Sequence, residues 1–178
     1  LILKNGKTQK VEALSGIESI SFPAPFSEME CFYTDGLNSL IHTMAGKVKD
    51  ELAEKTIRHR GHAQGIMTLK ECGLFSRQPV QIGGQQVTPR NILEKVLDSE
   101  MKLGDEEDVT LLRIIVEGKR AGEPETHIFE MIDRSDPLRK YTSMAKTTSF
   151  PASIAAQMIA SGRITQKGSL FPEDIFHD

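Results

Sequence analysis

The sequence lacks the short motifs that announce common cofactor chemistries. It has no G-x-G-x-x-G turn between a strand and a helix, no P-loop, no H-E-x-x-H helix and no paired-cysteine zinc spacing. A dinucleotide, a nucleoside triphosphate or a catalytic zinc therefore has no recognisable cradle in this stretch. Gly83-Gly84 sits between Val80-Gln81-Ile82 and Gln85-Gln86-Val87, which reads as a hairpin turn and not as a phosphate loop. The acidic run Asp105 to Asp108 lacks the ligand spacing of an EF-hand and reads as a solvated turn. No metal is expected. Cysteine is scarce: Cys31 and Cys72 stand far apart, which suits reduced thiols in a cytoplasmic protein rather than a disulfide framework. Cys72 falls in a helical stretch and reads as a small hydrophobe. No apolar run approaches bilayer length and no signal-peptide pattern opens the chain, so no membrane association is expected. A net charge of −3 argues against a nucleic-acid surface.

What is present is enough apolar sequence for one domain with its own core over residues 1–178. The chain opens on Leu1 without a methionine and reads as part of a longer protein. Asn5-Gly6 predicts a hairpin between Leu1 and Leu14, because both turn residues need positive φ. Strands are expected at Glu18 to Phe22, stopped by Pro23 and Pro25, and at Met29 to Tyr33. Asp35-Gly36 should lead into a helix from about Leu37 to Ala45. Glu54 to His59 reads as a strand and Gly61 to Leu74 as an amphipathic helix. Thr88-Pro89 carries a helix start, with a cap residue followed by proline. Val109 to Glu117 and Glu125 to Asp133 read as two long strands joined by Gly118 to Gly122. The first is nearly continuous in apolar residues, which suggests a central strand. Leu138 to Ala145 and Ala152 to Ala160 read as separate helical pieces. The order of elements predicts an α+β fold: a mixed, mostly antiparallel sheet with helices packed on one face.

The residues that can carry chemistry cluster at the end of the strand expected over Glu54 to His59. Arg58, His59, Arg60 and His62 fall within five residues, at a strand-to-helix turn where α/β sheets hold ligands. A guanidinium grips a carboxylate through two parallel hydrogen bonds, so Arg58 is the first candidate for substrate binding. The alternative is a surface salt bridge, with Glu54 the nearest acid in sequence. His62 can carry a proton near neutral pH and is the candidate catalytic residue; the alternative is a structural histidine at a helix start. Lys146, Thr147 and Thr148 are expected just before a helix N-terminus, where hydroxyls and free N–H groups make an anion site. Capping by Thr148 or Ser149 would coexist with that role. Tyr33 and Asn38 are weaker candidates. His42, His127 and His177 carry no assignment.

Several segments, in order, resemble one family. Thr56-Ile57-Arg58-His59-Arg60-Gly61-His62 is similar to the T-L-R-Y-P-G-H turn of the saccharopine dehydrogenase and lysine 6-dehydrogenase family. Tyr33 to Leu40 resembles that family's loop into the preceding helix, and Gly104 to Val109 its acidic turn before a long hairpin. Lys146-Thr147-Thr148-Ser149-Phe150-Pro151-Ala152 resembles K-T-T-G-F-P-A, and Gly168 to Glu173 the closing G-V-L-P-P-E. The likeness is to the substrate-side domain. Two departures stand out: His59-Arg60 replaces Tyr-Pro, and Ser149 replaces glycine. The resemblance implies a substrate-binding and dimerisation domain of an NAD(P)-dependent oxidoreductase acting on a C–N bond of an amino acid. It implies NAD or NADP bound by a Rossmann domain that would lie N-terminal to this chain, with no nucleotide bound by this stretch itself. It also implies a homodimer through one sheet face, and it places Arg58 and the Lys146–Thr148 segment at the substrate. The rival reading is a non-catalytic homodimerisation or ligand-binding module on the same fold.

Overall fold

The computed structural model describes residues 1–102, 104 and 106–175. They sort into two compact units, residues 1–102 with 171–175, and residues from 104 to 170.

In the first unit, β1 (Ile2–Lys4) and β2 (Lys7–Gln9) form the predicted hairpin. Asn5 and Gly6 have φ of 51° and 70°, the positive values that a two-residue turn between twisted strands demands. The second strand comes earlier than the sequence suggested, because the tight turn leaves no slack. β3 (Glu18–Ile20), β4 (Met29–Tyr33), α1 (Leu40–Thr43), β5 (Glu51–Leu52), β6 (Lys55–His59) and α2 (His62–Glu71) follow. α1 is a single turn, shorter than expected. The segment before it is held as a loop, with Asn38 at φ 42° and the Glu54 carboxylate taking the Gly36 N–H at 3.1 Å. β5 was not foreseen; two residues are too few to show a periodicity. It pairs with β1, giving the order β2-β1-β5, and Leu3, Leu37 and Ile41 form a buried cluster beside it.

The second sheet has the order β3-β4-β6, all antiparallel, with β4 in the middle. Met29, Glu30, Cys31 and Phe32 are all buried, as a strand with neighbours on both edges requires. β7 (Val80–Ile82) and β8 (Gln85–Val87) are the expected hairpin, turning at Gly83 and Gly84 with φ of 55° and 83°. Thr88 then leads into α3 (Pro89–Glu100) with proline in its first turn, as read from the sequence.

In the second unit, β9 (Val109–Arg120) and β10 (Glu123–Arg134) are twelve residues each and pair along their whole length. The turn is only Ala121-Gly122, both at positive φ, so Gly118 to Arg120 belong to the strand and not to a five-residue loop. β9 is not a central strand either. Its single partner among the described residues is β10, and apolar residues of both strands stay open: Ile115 of β9 is 56% exposed, and Ile128 and Phe129 of β10 are 60% and 59%.

α4 (Ser143–Ala160) is one helix of 18 residues where the sequence suggested two pieces, and Pro151 lies inside it. α5 (Pro172–Ile175) closes the first unit, where Thr43 donates to Glu173 at 2.8 Å. The fold is α+β. Its strands form four separate small antiparallel sheets among the described residues, in place of the single mixed sheet expected. The acidic turn keeps only part of its predicted span in view, since Leu103 and Asp105 lie outside the described residues.

Candidate functional site

The turn from β6 into α2 is built around a residue the sequence reading passed over. Glu30 sits in the middle of β4, 7% exposed. Its two oxygens accept the Gly61 N–H at 3.0 Å and the Ala63 N–H at 2.7 Å. These are two of the amides that a helix start leaves without intrahelical partners, and a carboxylate there also meets the positive end of the helix dipole. Burial pushes the Glu30 carboxyl up. The Ala63 and Gly61 amides, with His62 and Arg60 nearby, more than offset this and hold it below the usual range. Gly61 carries φ 93°, a left-handed conformation that lets the chain turn straight from the strand into the helix. A lone acid inside Met29-Glu30-Cys31-Phe32 was the available signal, because a buried charge must have partners.

Register puts Arg58 directly across from Glu30, and Thr56 across from Phe32, on the same sheet face. His62 stacks on Phe32 with centroids 6.1 Å apart and planes 3° apart. Burial pushes the His62 pKa down, the Arg58 charge lowers it further, and Glu30 raises it only in part. The imidazole is therefore biased towards its neutral, proton-accepting form. Its ring packs against Phe32 at the start of α2.

Arg58 does not form the salt bridge with Glu54 that was its alternative. Glu54 is engaged elsewhere, by Thr34, Thr56 and the Gly36 amide. Arg58 Nη1 donates to the Ile57 carbonyl at 3.2 Å, and the guanidinium has no acidic partner within 4 Å among the described residues. It thus retains donors for an anionic ligand. On the opposite face Tyr33 lies under the Lys55 ammonium, 4.6 Å from its ring centre, and Lys55 pairs with Glu18 at 2.5 Å.

Lys146, Thr147 and Thr148 lie in the second unit, and not ahead of a helix. α4 starts at Ser143, so all three are inside it. The N-cap is Thr142, whose hydroxyl accepts the Ala145 N–H at 3.0 Å, and the Asp108 carboxylate takes the amides of Ser143 and Met144 at 2.6 and 2.8 Å. The expected free N–H groups at Thr148 and Ser149 are therefore absent. Lys146 Nζ is held by Asp133 at 3.0 Å and by the Arg134 carbonyl at 2.7 Å. The Thr147 hydroxyl donates back to the Ser143 carbonyl at 3.0 Å, and that of Thr148 reaches Met144 Sδ at 3.7 Å. The helix extends upstream because Asp108 and Asp133, distant in sequence, satisfy its first turn.

Nicotinamide nucleotides are commonly held by a strand, a glycine turn and a helix N-terminus. The β6–Gly61–α2 junction has that order of parts but does not fit a pyrophosphate. Its helix-start amides already face the Glu30 carboxylate, whose charge would repel a second anion. Among the described residues no group of three His, Cys, Asp or Glu side chains is placed to hold a metal. No described helix is long and apolar enough to cross a membrane.

These parts define an α+β domain with a basic strand-to-helix turn. Residues 1–178 match the saccharopine dehydrogenase C-terminal domain, and the chain belongs to that family. It is 33% identical over 132 residues to the saccharopine dehydrogenase [NADP(+), L-glutamate-forming] of Schizosaccharomyces pombe, a match covering 72% of this chain and 26% of that protein. The chain thus spans about a quarter of the length of that relative.

Proposed function

We propose that this chain is the substrate-binding and dimerisation domain of a cytoplasmic NAD(P)-dependent oxidoreductase acting on a C–N bond of an amino acid. The observation that carries the reading is Arg58: a guanidinium with no acidic partner within 4 Å among the described residues, beside an imidazole biased towards neutrality, on a turn fixed by a buried carboxylate. Arg58 binds the substrate carboxylate. His62 accepts a proton from the substrate ammonium or from water. The nucleotide belongs to another part of the protein and supplies the hydride chemistry. The relative's printed activity, with NADP as cofactor, supports this class of reaction.

The Arg58→Lys enzyme tests it. Lysine keeps the charge but loses the planar fork. Loss of a charge-assisted pair worth about 1.5–3 kcal/mol should lower kcat/KM roughly ten- to a hundred-fold, with nucleotide affinity unchanged. Near-normal kcat/KM with a normal melting temperature would remove Arg58 from the site. The dimer rests on the β9–β10 ribbon, whose apolar residues are open on both faces: Ile114 and Phe129 on one, Ile115 and Ile128 on the other. Exposed apolar surface of this kind marks an association site, and a second copy is the proposed occupant. Light scattering should show a dimer. Ile115→Lys should shift it towards monomer, and a wild-type monomer at tens of micromolar would dismiss the idea.

A further inference from the structure

The α2 junction holds an acid to which the proposed mechanism gives no part. Both oxygens of Glu30 accept backbone amides, Gly61 N–H at 3.0 Å and Ala63 N–H at 2.7 Å. Those two amides flank His62 in the chain, so one carboxylate grips the backbone on either side of it. The far end of the same side chain, the imidazole, stacks on Phe32, also in β4, with planes 3° apart. β4 thus holds His62 at two points, by its backbone and by its ring. Register also sets Arg58 opposite Glu30, yet the two form no ion pair within 4 Å. A carboxylate with an unoccupied oxygen would close on a guanidinium across a strand pair. Both oxygens of Glu30 are turned to the helix start instead, and the guanidinium stays open.

We propose that Glu30 is a positioning residue for proton transfer at His62, clamping the backbone that carries the imidazole while leaving Arg58 open to the substrate carboxylate. This deepens the function proposed above and rests on its assignment of His62 as proton acceptor. Glu30 touches neither substrate nor nucleotide and acts through the His62 backbone. Proton transfer needs heavy atoms within about 2.6–3.2 Å, and a misplacement of about 1 Å can cost about a hundred-fold in rate. A second effect is electrostatic. The charges that face the imidazole are Glu30 from β4 and Arg58 from β6. Burial and Arg58 lower its pKa, and Glu30 raises it. The carboxylate keeps the imidazole basic enough to take up a proton beside a guanidinium.

Glu30→Gln tests this. It keeps the volume and one acceptor oxygen, but turns an NH2 group towards an amide donor. In an NMR titration of the intact protein the His62 midpoint should move down, because burial and Arg58 remain. A merely loosened fold would move it up towards about 6.5. In the enzyme assay, with L-saccharopine and NADP as probes, kcat should fall at least about ten-fold while KM stays or drops, since Arg58 keeps its charge. Added to His62→Gln, the change should lower kcat no further than His62→Gln alone, because residues acting through one group are not additive. Leu93→Ala, at a buried position on α3, loses stability and should leave kcat near wild type. A His62 midpoint that stays or rises in Glu30→Gln would overturn the proposal with no assay needed. So would additive losses in the double variant, or an equal fall in kcat in Leu93→Ala. If His62→Gln keeps wild-type kcat, the proton-acceptor reading falls and takes the positioning role with it. If His62→Gln is costly and Glu30→Gln is harmless, the positioning role alone falls.

Discussion

Two helix starts in this chain solve one physical problem in different ways. At α2 the free amides of Gly61 and Ala63 are met by Glu30, from the middle of a three-stranded sheet. At α4 the amides of Ser143 and Met144 are met by Asp108, from the residue just before β9. Each helix is thus capped by a carboxylate more than thirty residues away in sequence. The difference lies in the cations. At α4 Lys146 is engaged by Asp133, so the start of that helix is internally neutralised. At α2 the acid that faces Arg58 is fully occupied by backbone, and neither Arg58 nor Arg60 has an acidic partner within 4 Å among the described residues. A cap built from a side chain can release charge as well as stabilise a turn. Here the α2 junction keeps its cations available, and the α4 junction does not.

The largest expected effect is at Glu30. Glu30→Ala removes two charge-assisted bonds to buried or half-buried amides, each worth about 1.5–3 kcal/mol. Rehydration recovers part of that, so about 3 kcal/mol should be lost in a denaturant titration. Asp108→Asn keeps one good acceptor at a more exposed helix start and should cost about 1 kcal/mol. Equal costs at the two sites would break the contrast. Next comes Ser143, which is fully buried and whose hydroxyl joins Thr110, the Asp133 carbonyl and Asp133 Oδ2 within 2.9 Å. Ser143→Ala should cost about 1–3 kcal/mol. Gly61→Ala meets open space but must hold φ near 93°, so it should cost roughly 1–2 kcal/mol from backbone strain alone.

Smallest is the pH dependence. The folded pKa values of Glu30 and His62 both lie below their ordinary values. The unfolded chain therefore takes up each proton first. His62's contribution to stability is present above its unfolded value, about 6.5, and is lost as pH falls through its lower folded value. Glu30's contribution is present above about 4.5 and is lost as pH falls through its own folded value. His62→Gln should flatten the stability profile in the upper window, and Glu30→Gln in the lower. An NMR titration placing the His62 midpoint above 6.5 would remove the argument that its neighbours keep it neutral.

Local rules made some of this legible. Asn5-Gly6 and Gly83-Gly84 are turns because few other pairs accept two positive φ values, and both stand as read. Met29–Tyr33 was bounded correctly by its β-prone residues, although Glu30 inside it was read as an ordinary strand position. Ala121-Gly122 escaped notice because Ala121 is an unusual residue at φ 53°. α4 was split at Ser149-Phe150-Pro151 because proline usually marks a boundary, yet the helix runs through it. Of the candidate site, Arg58 and His62 were legible as a basic turn after a strand, and the motif likeness named their family. Their lack of acidic partners was not legible.

The sequence by itself determined the local grammar: tight hairpins, the strand at Met29–Tyr33, a basic strand-to-helix junction and membership of the family. Those follow from φ preferences, side-chain periodicity and a motif only a few residues long. The tertiary structure alone decided which charges are neutralised. It brought Glu30 to the amides of Gly61 and Ala63, Asp108 to those of Ser143 and Met144, and Asp133 to Lys146. Pairing of charges depends on distances of a few ångströms between residues far apart along the chain, and no periodicity in the sequence encodes those distances.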